Sequence, residues 1–82
     1  MENLEKDVTK IVAKVLKKPV EKLDPEANLF YDYGVDSLLG VEIFAALDKK
    51  YHIDVPEERI RQISTLNEII GLIKEELEKK GS

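Results

Sequence analysis

At 82 residues and a formal net charge of −4, the chain makes at most one small domain, since domains cluster near ~100–150 residues and so short a chain buries only about 60% of its unfolded surface. Apolar residues at 43% and charged residues at 37% suit a folded globular domain rather than a disordered tail. The absence of Cys and the single His52 exclude disulfides, thiolate metal centres, thiol nucleophiles and multi-His metal sites, and a substrate pocket of ~300 Å³ or more would consume most of such a core.

The first periodic segment spans about Asn3 to Lys17. Leu4, Val8, Ile11, Val12, Val15 and Leu16 recur at helical spacing and share one face. Asn3 is the expected N-cap, Lys17 and Lys18 suit the negative end of the helix dipole, and Pro19 stops the helix. Residues 18–36 hold Pro19, Pro25 and Gly34 with no sustained period, so a long loop is expected there, anchored to the core by Leu23, Leu29 and Phe30. Loops of this length in small domains are usually functional or mobile.

A second main helix is expected from Asp36-Ser37, with Asp36 as N-cap, to about Lys50 or Tyr51. A short helical turn comes next, with Pro56 at its first position and Glu57 and Glu58 at its positive end. Thr65-Leu66-Asn67-Glu68 is a capping box opening the last helix, whose Leu66, Ile69, Ile70, Ile73 and Leu77 share a face. The expected class is therefore all-α: a small bundle of three main helices plus a short helix between the second and the last, in a single domain over 1–82.

At about 100° per residue, Gly40, Ile43, Phe44, Leu47 and Tyr51 form the core stripe of the second helix. Leu38, Val41 and Ala45 fall on the other side with Glu42, Asp48 and Lys49, flanking Ser37. Single exposed apolar residues are ordinary in small proteins. The competing reading is a partner-contact patch of Leu38, Val41 and Ala45, rimmed by Asp32, Asp36, Glu42 and Asp48.

Ser37 by itself reads as an ordinary first-turn residue. A nucleophilic triad lacks its base, because His52 lies past the far end of this helix, about 20 Å away at 1.5 Å per residue; a solvated loop position is expected for it. A calcium loop fails as well. Counted from Asp24, Leu29 stands where an EF-hand needs Gly, and Val35 where it needs Glu.

The acid is concentrated in the middle of the chain, between residues 21 and 58, where it repels nucleic acid and favours a partner with a basic surface. The longest apolar run, Ile43 to Leu47, is far below the ~18 residues of a membrane span. The opening Met1-Glu2-Asn3-Leu4-Glu5-Lys6 lacks the pattern of a signal peptide, so the cytoplasm is the expected compartment; a monomer is also expected. The closing Gly81-Ser82 carries no argument.

Asp32-Tyr33-Gly34-Val35-Asp36-Ser37-Leu38 resembles the phosphopantetheine attachment motif of acyl carrier proteins. Asp36-Ser37-Leu38 alone is weak, but its context extends the likeness over about residues 3–78. Asp24-Pro25 leads into Asn28-Leu29-Phe30 before the motif. Val41-Glu42 and Ala46-Leu47 come after it, then Tyr51, Ile53-Asp54-Val55-Pro56 and Ile63-Ser64-Thr65-Leu66.

The resemblance implies a non-catalytic carrier. Ser37 would receive 4'-phosphopantetheine from coenzyme A through a phosphopantetheinyl transferase, with Asp36 as cap and motif residue. The terminal thiol of the arm would hold acyl groups as thioesters for acyl-transferring, condensing or acyl-activating enzymes of fatty-acid, polyketide or specialised lipid biosynthesis. Leu38, Val41, Glu42, Ala45 and Asp48 would contact these partners, and Ile43, Leu47, Ile63 and Ile69 would line a shelter for a short acyl chain. An aminoacyl or D-alanyl carrier and an unmodified helical interaction module remain as alternatives. Departures from the fatty-acid carriers include Leu39 and Gly40 after the motif, Lys49-Lys50 at the helix end, Tyr33 where Leu is usual, and the added Arg59 and Arg61. They suit a carrier dedicated to one pathway.

Overall fold

The computed structural model describes residues 3–81; Met1, Glu2 and Ser82, on which the readings of the two chain ends partly rest, lie outside the described residues. Three long helices carry the fold: α1 (Leu4–Leu16), α3 (Ser37–Tyr51) and α5 (Leu66–Gly81), with two five-residue helices, α2 (Leu29–Tyr33) and α4 (Glu57–Arg61), between them. There is no β-strand among the described residues; one isolated antiparallel bridge joins Asn28 and Thr65. The all-α class with three main helices is as expected. The 18–36 segment is more ordered than a plain loop, holding both α2 and a 3-10 turn at Val20–Lys22.

α1 packs on α3 and α5. The buried face of α1 is Val8, Val12 and Ala13, that of α3 is Ile43, Phe44 and Leu47, and that of α5 is Leu66, Ile69, Ile70, Leu72 and Ile73. The helical period places all of these on the inner faces except Ala13 and Leu72, which the structure adds. No polar or charged residue joins the core among the described residues. Burying each large aliphatic side chain contributes ~1.5–3 kcal/mol, and this is what holds such short helices together.

The helix ends are set by local chemistry. α1 ends in a Schellman turn: Lys17 adopts a left-handed conformation (φ 60°), its N–H bonds the Lys14 carbonyl at 3.2 Å, and Lys18 N–H bonds that of Ala13 at 3.0 Å. The chain thus leaves the helix before Pro19. Asn3 sits at the N-cap position, but its side chain makes no capping bond. The α5 capping box forms as expected: Glu68 N–H donates to Thr65 Oγ1 at 3.1 Å, and Thr65 N–H donates to Glu68 Oε1 at 3.1 Å. Pro56 precedes α4 as its cap rather than occupying its first turn.

The 18–36 segment is tied down at several points. Leu29 N–H donates to the Ser64 carbonyl at 2.7 Å and Asn67 N–H to that of Pro25 at 3.0 Å, docking the segment on the start of α5. Leu23 and Leu29 are buried as anchors, whereas Phe30 is 41% exposed. Asn28, itself half-buried, caps α2 by accepting the Phe30 and Tyr31 amides at 2.8 and 3.0 Å. Phe30, next in line after Leu29, is turned away from the core by the helical step this cap starts. Gly34, at φ 67°, ends α2 in a left-handed turn and feeds the chain into α3.

Candidate functional site

Ser37 is the first residue of α3 and is exposed. Its position is fixed by Asp36, whose Oδ1 accepts the Leu39 amide at 2.8 Å while its carbonyl accepts that of Gly40 at 2.9 Å. The Ser37 and Leu38 amides belong to the first turn and have no intrahelical acceptor. Together with the dipole they make the surroundings of the Ser37 hydroxyl favourable to a phosphate.

Beside Ser37 a groove of about 550 Å³ runs between α2, α3 and α4. Its apolar lining comes from Phe30, Leu38, Val41 and Ile60, and its charges are Asp36, Glu57 and Arg61. These residues are far apart in sequence. Phe30, exposed rather than buried as an anchor, finds its place here. Ile43, Leu47 and Ile69, expected to line an acyl shelter, are instead closed into the core at 1% exposure or less, and Ile63 faces a different, shallow depression between α4 and α5. The open space next to Ser37 therefore has other walls. Ile60 and Arg61 carry only a five-residue signal in sequence, too short for a period to announce them.

The outer crest of α3 carries Leu38 at 67% and Val41 at 53% exposure, with Ala45 and Glu42 also exposed. Asp48 differs from these four. It is half-buried, and its Oδ1 is withdrawn from solvent with no hydrogen-bond partner. Burial holds its carboxyl above the usual aspartate range, with the Val55 backbone hydrogen bond opposing and the Asp54 and Glu76 charges adding to the rise. The segment after α3 thus covers Asp48, which a helical wheel alone places on the open rim.

One further acid of the rim and one of the groove are engaged locally. Asp32 Oδ2 accepts the Asn28 amide at 2.8 Å, and Glu57 Oε2 pairs with Arg61 Nη2 at 3.1 Å. His52 is an exposed, left-handed cap (φ 56°) at the far end of α3. No cluster of three or more His, Cys, Asp or Glu among the described residues is arranged to hold a metal. No helix among them is long and apolar enough to cross a membrane.

An exposed hydroxyl at a helix start, with free amides beside it and an open apolar groove along one flank, fits a covalently attached phosphorylated arm. Comparison with known proteins agrees. The family profile described as "Phosphopantetheine attachment site" matches residues 6–73. Acyl carrier proteins of two strains of Rickettsia bellii, RML369-C and OSU 85-389, are 33% and 35% identical over 75 residues, covering 92% of this chain and 87% and 93% of theirs. That of Helicobacter pylori strain J99 is 31% identical over 69 residues, covering 84% of this chain and 88% of its own. The solution structure of the apo doublet acyl carrier protein from prodigiosin biosynthesis superposes with a TM-score of 0.77 at 27% identity. It covers 90% of this chain, which spans only 36% of that longer one. The family's members are carriers rather than catalysts, bear covalently bound 4'-phosphopantetheine, and work with a phosphopantetheinyl transferase and acyl-processing enzymes. On both its fold and its sequence, the chain belongs to the acyl carrier protein family.

Proposed function

We propose that the chain is an acyl carrier whose 4'-phosphopantetheine is attached at Ser37. The observation that carries this is the position of Ser37: exposed, first in α3, capped by Asp36 and opening on the groove. In the modification, the Ser37 hydroxyl oxygen attacks the phosphorus of coenzyme A that bears pantetheine. A new P–O bond forms, the bond to the adenosine-bisphosphate portion breaks, and that portion leaves. The hydroxyl proton passes to a base of the transferase, since His52 is at the other end of α3. The chain has no cysteine, and the attached arm supplies the thiol that holds an acyl group as a thioester.

In this reading Ser37 and the first-turn amides bind and orient the phosphate. Leu38, Val41 and Ala45 present an apolar contact surface, and Glu42 with the acidic middle of the chain steers partners of basic surface. Asp48 belongs to this contact set only at its margin, being half-covered. The cargo is an acyl intermediate of fatty-acid, polyketide or specialised lipid synthesis; Tyr33, Lys49-Lys50 and Arg61 favour a dedicated pathway. The cytoplasm, which holds coenzyme A, is the compartment that goes with this reading.

The test is incubation with coenzyme A and a promiscuous phosphopantetheinyl transferase, followed by intact-mass measurement. The chain is expected to gain one phosphopantetheine and Ser37→Ala to gain none. No gain in the parent chain, or an equal gain in the variant, overturns the assignment and favours an unmodified interaction module.

A further inference from the structure

The groove beside Ser37 holds two carboxylates, Asp36 and Glu57, and one cation, Arg61. A phosphodiester formed at Ser37 adds a further negative charge to that small space. Asp36 is committed to the Leu39 amide. Among the described residues, Arg61 therefore stands as the single basic side chain in the groove lining, at the C-terminal end of α4 and across from the start of α3.

The two arginines of α4 are used differently. Arg59 donates to Glu75 of α5 at 2.6 Å, and that contact holds the Glu75 carboxyl below its ordinary range. It fastens α4 to α5. Arg61 makes an exposed contact within its own helix, Nη2 to Glu57 Oε2 at 3.1 Å, with both side chains more than 70% exposed. Such an i,i+4 pair is weak in water, and it occupies one of the five donors of the guanidinium. The rest of the fork stays available for an anion, and a guanidinium matches two phosphate oxygens better than an ammonium does.

We propose that Arg61 is the intramolecular counter-ion of the phosphodiester at Ser37, with Glu57 keeping the guanidinium beside the groove. This rests on the reading of Ser37 as the attachment residue. By holding the phosphate, Arg61 directs the root of the arm toward Ile60 and Val41 instead of leaving it free to swing. Arg61 is thus a positioning residue for the arm, not a catalytic one. Binding to an arginine this exposed is screened by salt, so the hold is releasable when a basic partner surface competes for the same phosphate.

The experiment compares apo- and holo-protein by NMR, after intact mass has established the modification. The probe is the attached phosphopantetheine itself. The Arg61 Nε–Hε signal is expected to shift and its exchange with water to slow severalfold on modification, whereas the Arg59 signal stays put. The ³¹P resonance of the holo-protein is expected to move between low salt and about 0.5 M salt. In Arg61→Gln that movement disappears, in Arg61→Lys it is partly kept, and in Arg59→Gln it is unchanged. The wild-type apo–holo comparison needs no substitution, so a poorly folded variant does not decide the matter. A chain that gains no phosphopantetheine overturns the Ser37 assignment and this one with it. A chain that gains it, yet shows an unmoved Arg61 signal or a ³¹P response indifferent to Arg61→Gln, overturns the role of Arg61 alone.

Discussion

The hydroxyl of Tyr33 accepts the backbone N–H of Asp24 at 2.7 Å, linking the end of α2 to the segment that precedes it. The same hydroxyl donates to the Lys22 carbonyl at 3.3 Å, and the Lys18 ammonium lies 5.9 Å from the ring centroid. A position where acyl carriers usually have Leu is here a latch over the 18–28 segment. It braces α2, and through Gly34 the start of α3 where Ser37 stands. Tyr33→Phe keeps the ring and removes both hydrogen bonds. A loss of about 1 kcal/mol is expected, read as a lower midpoint in urea unfolding; an unchanged midpoint would show that water replaces the hydroxyl without loss.

Asp36 acts on stability through its cap. Asp36→Ala leaves the Leu39 amide without its acceptor and is expected to cost about 1 kcal/mol, while Asp36→Asn retains most of it. Thermal unfolding of the two variants side by side checks this. Equal losses would mean that the charge, rather than the hydrogen bond, does the stabilising.

Asp48 makes the pH dependence of stability unusual for an aspartate. Its carboxyl is held above its ordinary value by burial, so the folded state binds the proton more tightly than the unfolded chain does. The associated stability is present below the unfolded pKa and is lost as pH rises through the raised folded one. Asp48→Asn, which imitates the protonated form, is therefore expected to stabilise the protein at neutral pH, and the advantage should vanish in acid. Urea midpoints at pH 7 and near pH 3 measure it. A constant difference between the two would place the effect outside titration.

Glu75 works in the opposite sense. Its carboxyl is lowered by the Arg59 hydrogen bond and charge, so its contribution is present above the unfolded pKa and lost as pH falls through the lowered folded value. Glu75→Gln is expected to weaken the α4–α5 attachment at neutral pH and to make little difference in strong acid. Amide exchange in α4 at the two pH values reports it, and protection unaltered at neutral pH would count against the link.

The α3 crest separates stability from contact. Leu38→Ser and Val41→Ser alter exposed side chains and are expected to leave stability within about 0.5 kcal/mol, while slowing modification of Ser37 by the transferase. Glu42→Lys is expected to slow it chiefly at low salt, because steering between exposed charges is screened. Reversing Asp48 would confuse the two effects by placing a cation where Oδ1 is buried. Transfer rates across a salt series check this, and rates insensitive to Leu38, Val41 and Glu42 would remove the crest from the contact surface.

The parts of this protein legible in its sequence are those decided within a few residues. The three long helices come from apolar period, the Asp36 cap and the Thr65–Glu68 box from spacing, and the outward turn of Leu38, Val41 and Ala45 from the wheel of α3. Ser37 is marked by a local motif in its context. The left-handed ends at Lys17 and His52 are not legible, because neither residue is Gly and the backbone there is bent by the docking of the chain beyond each helix. α2 is not legible because five residues show no period. The groove needs the tertiary structure: Phe30, Val41, Ile60 and Arg61 come from three helices, and only packing brings them beside Ser37. The same packing closes Ile43, Leu47 and Ile69 into the core and covers Asp48. Local propensity and pattern determine which segments become helices and which residue begins α3. Burial of apolar faces against one another, a non-local term, decides what space and what charges surround it.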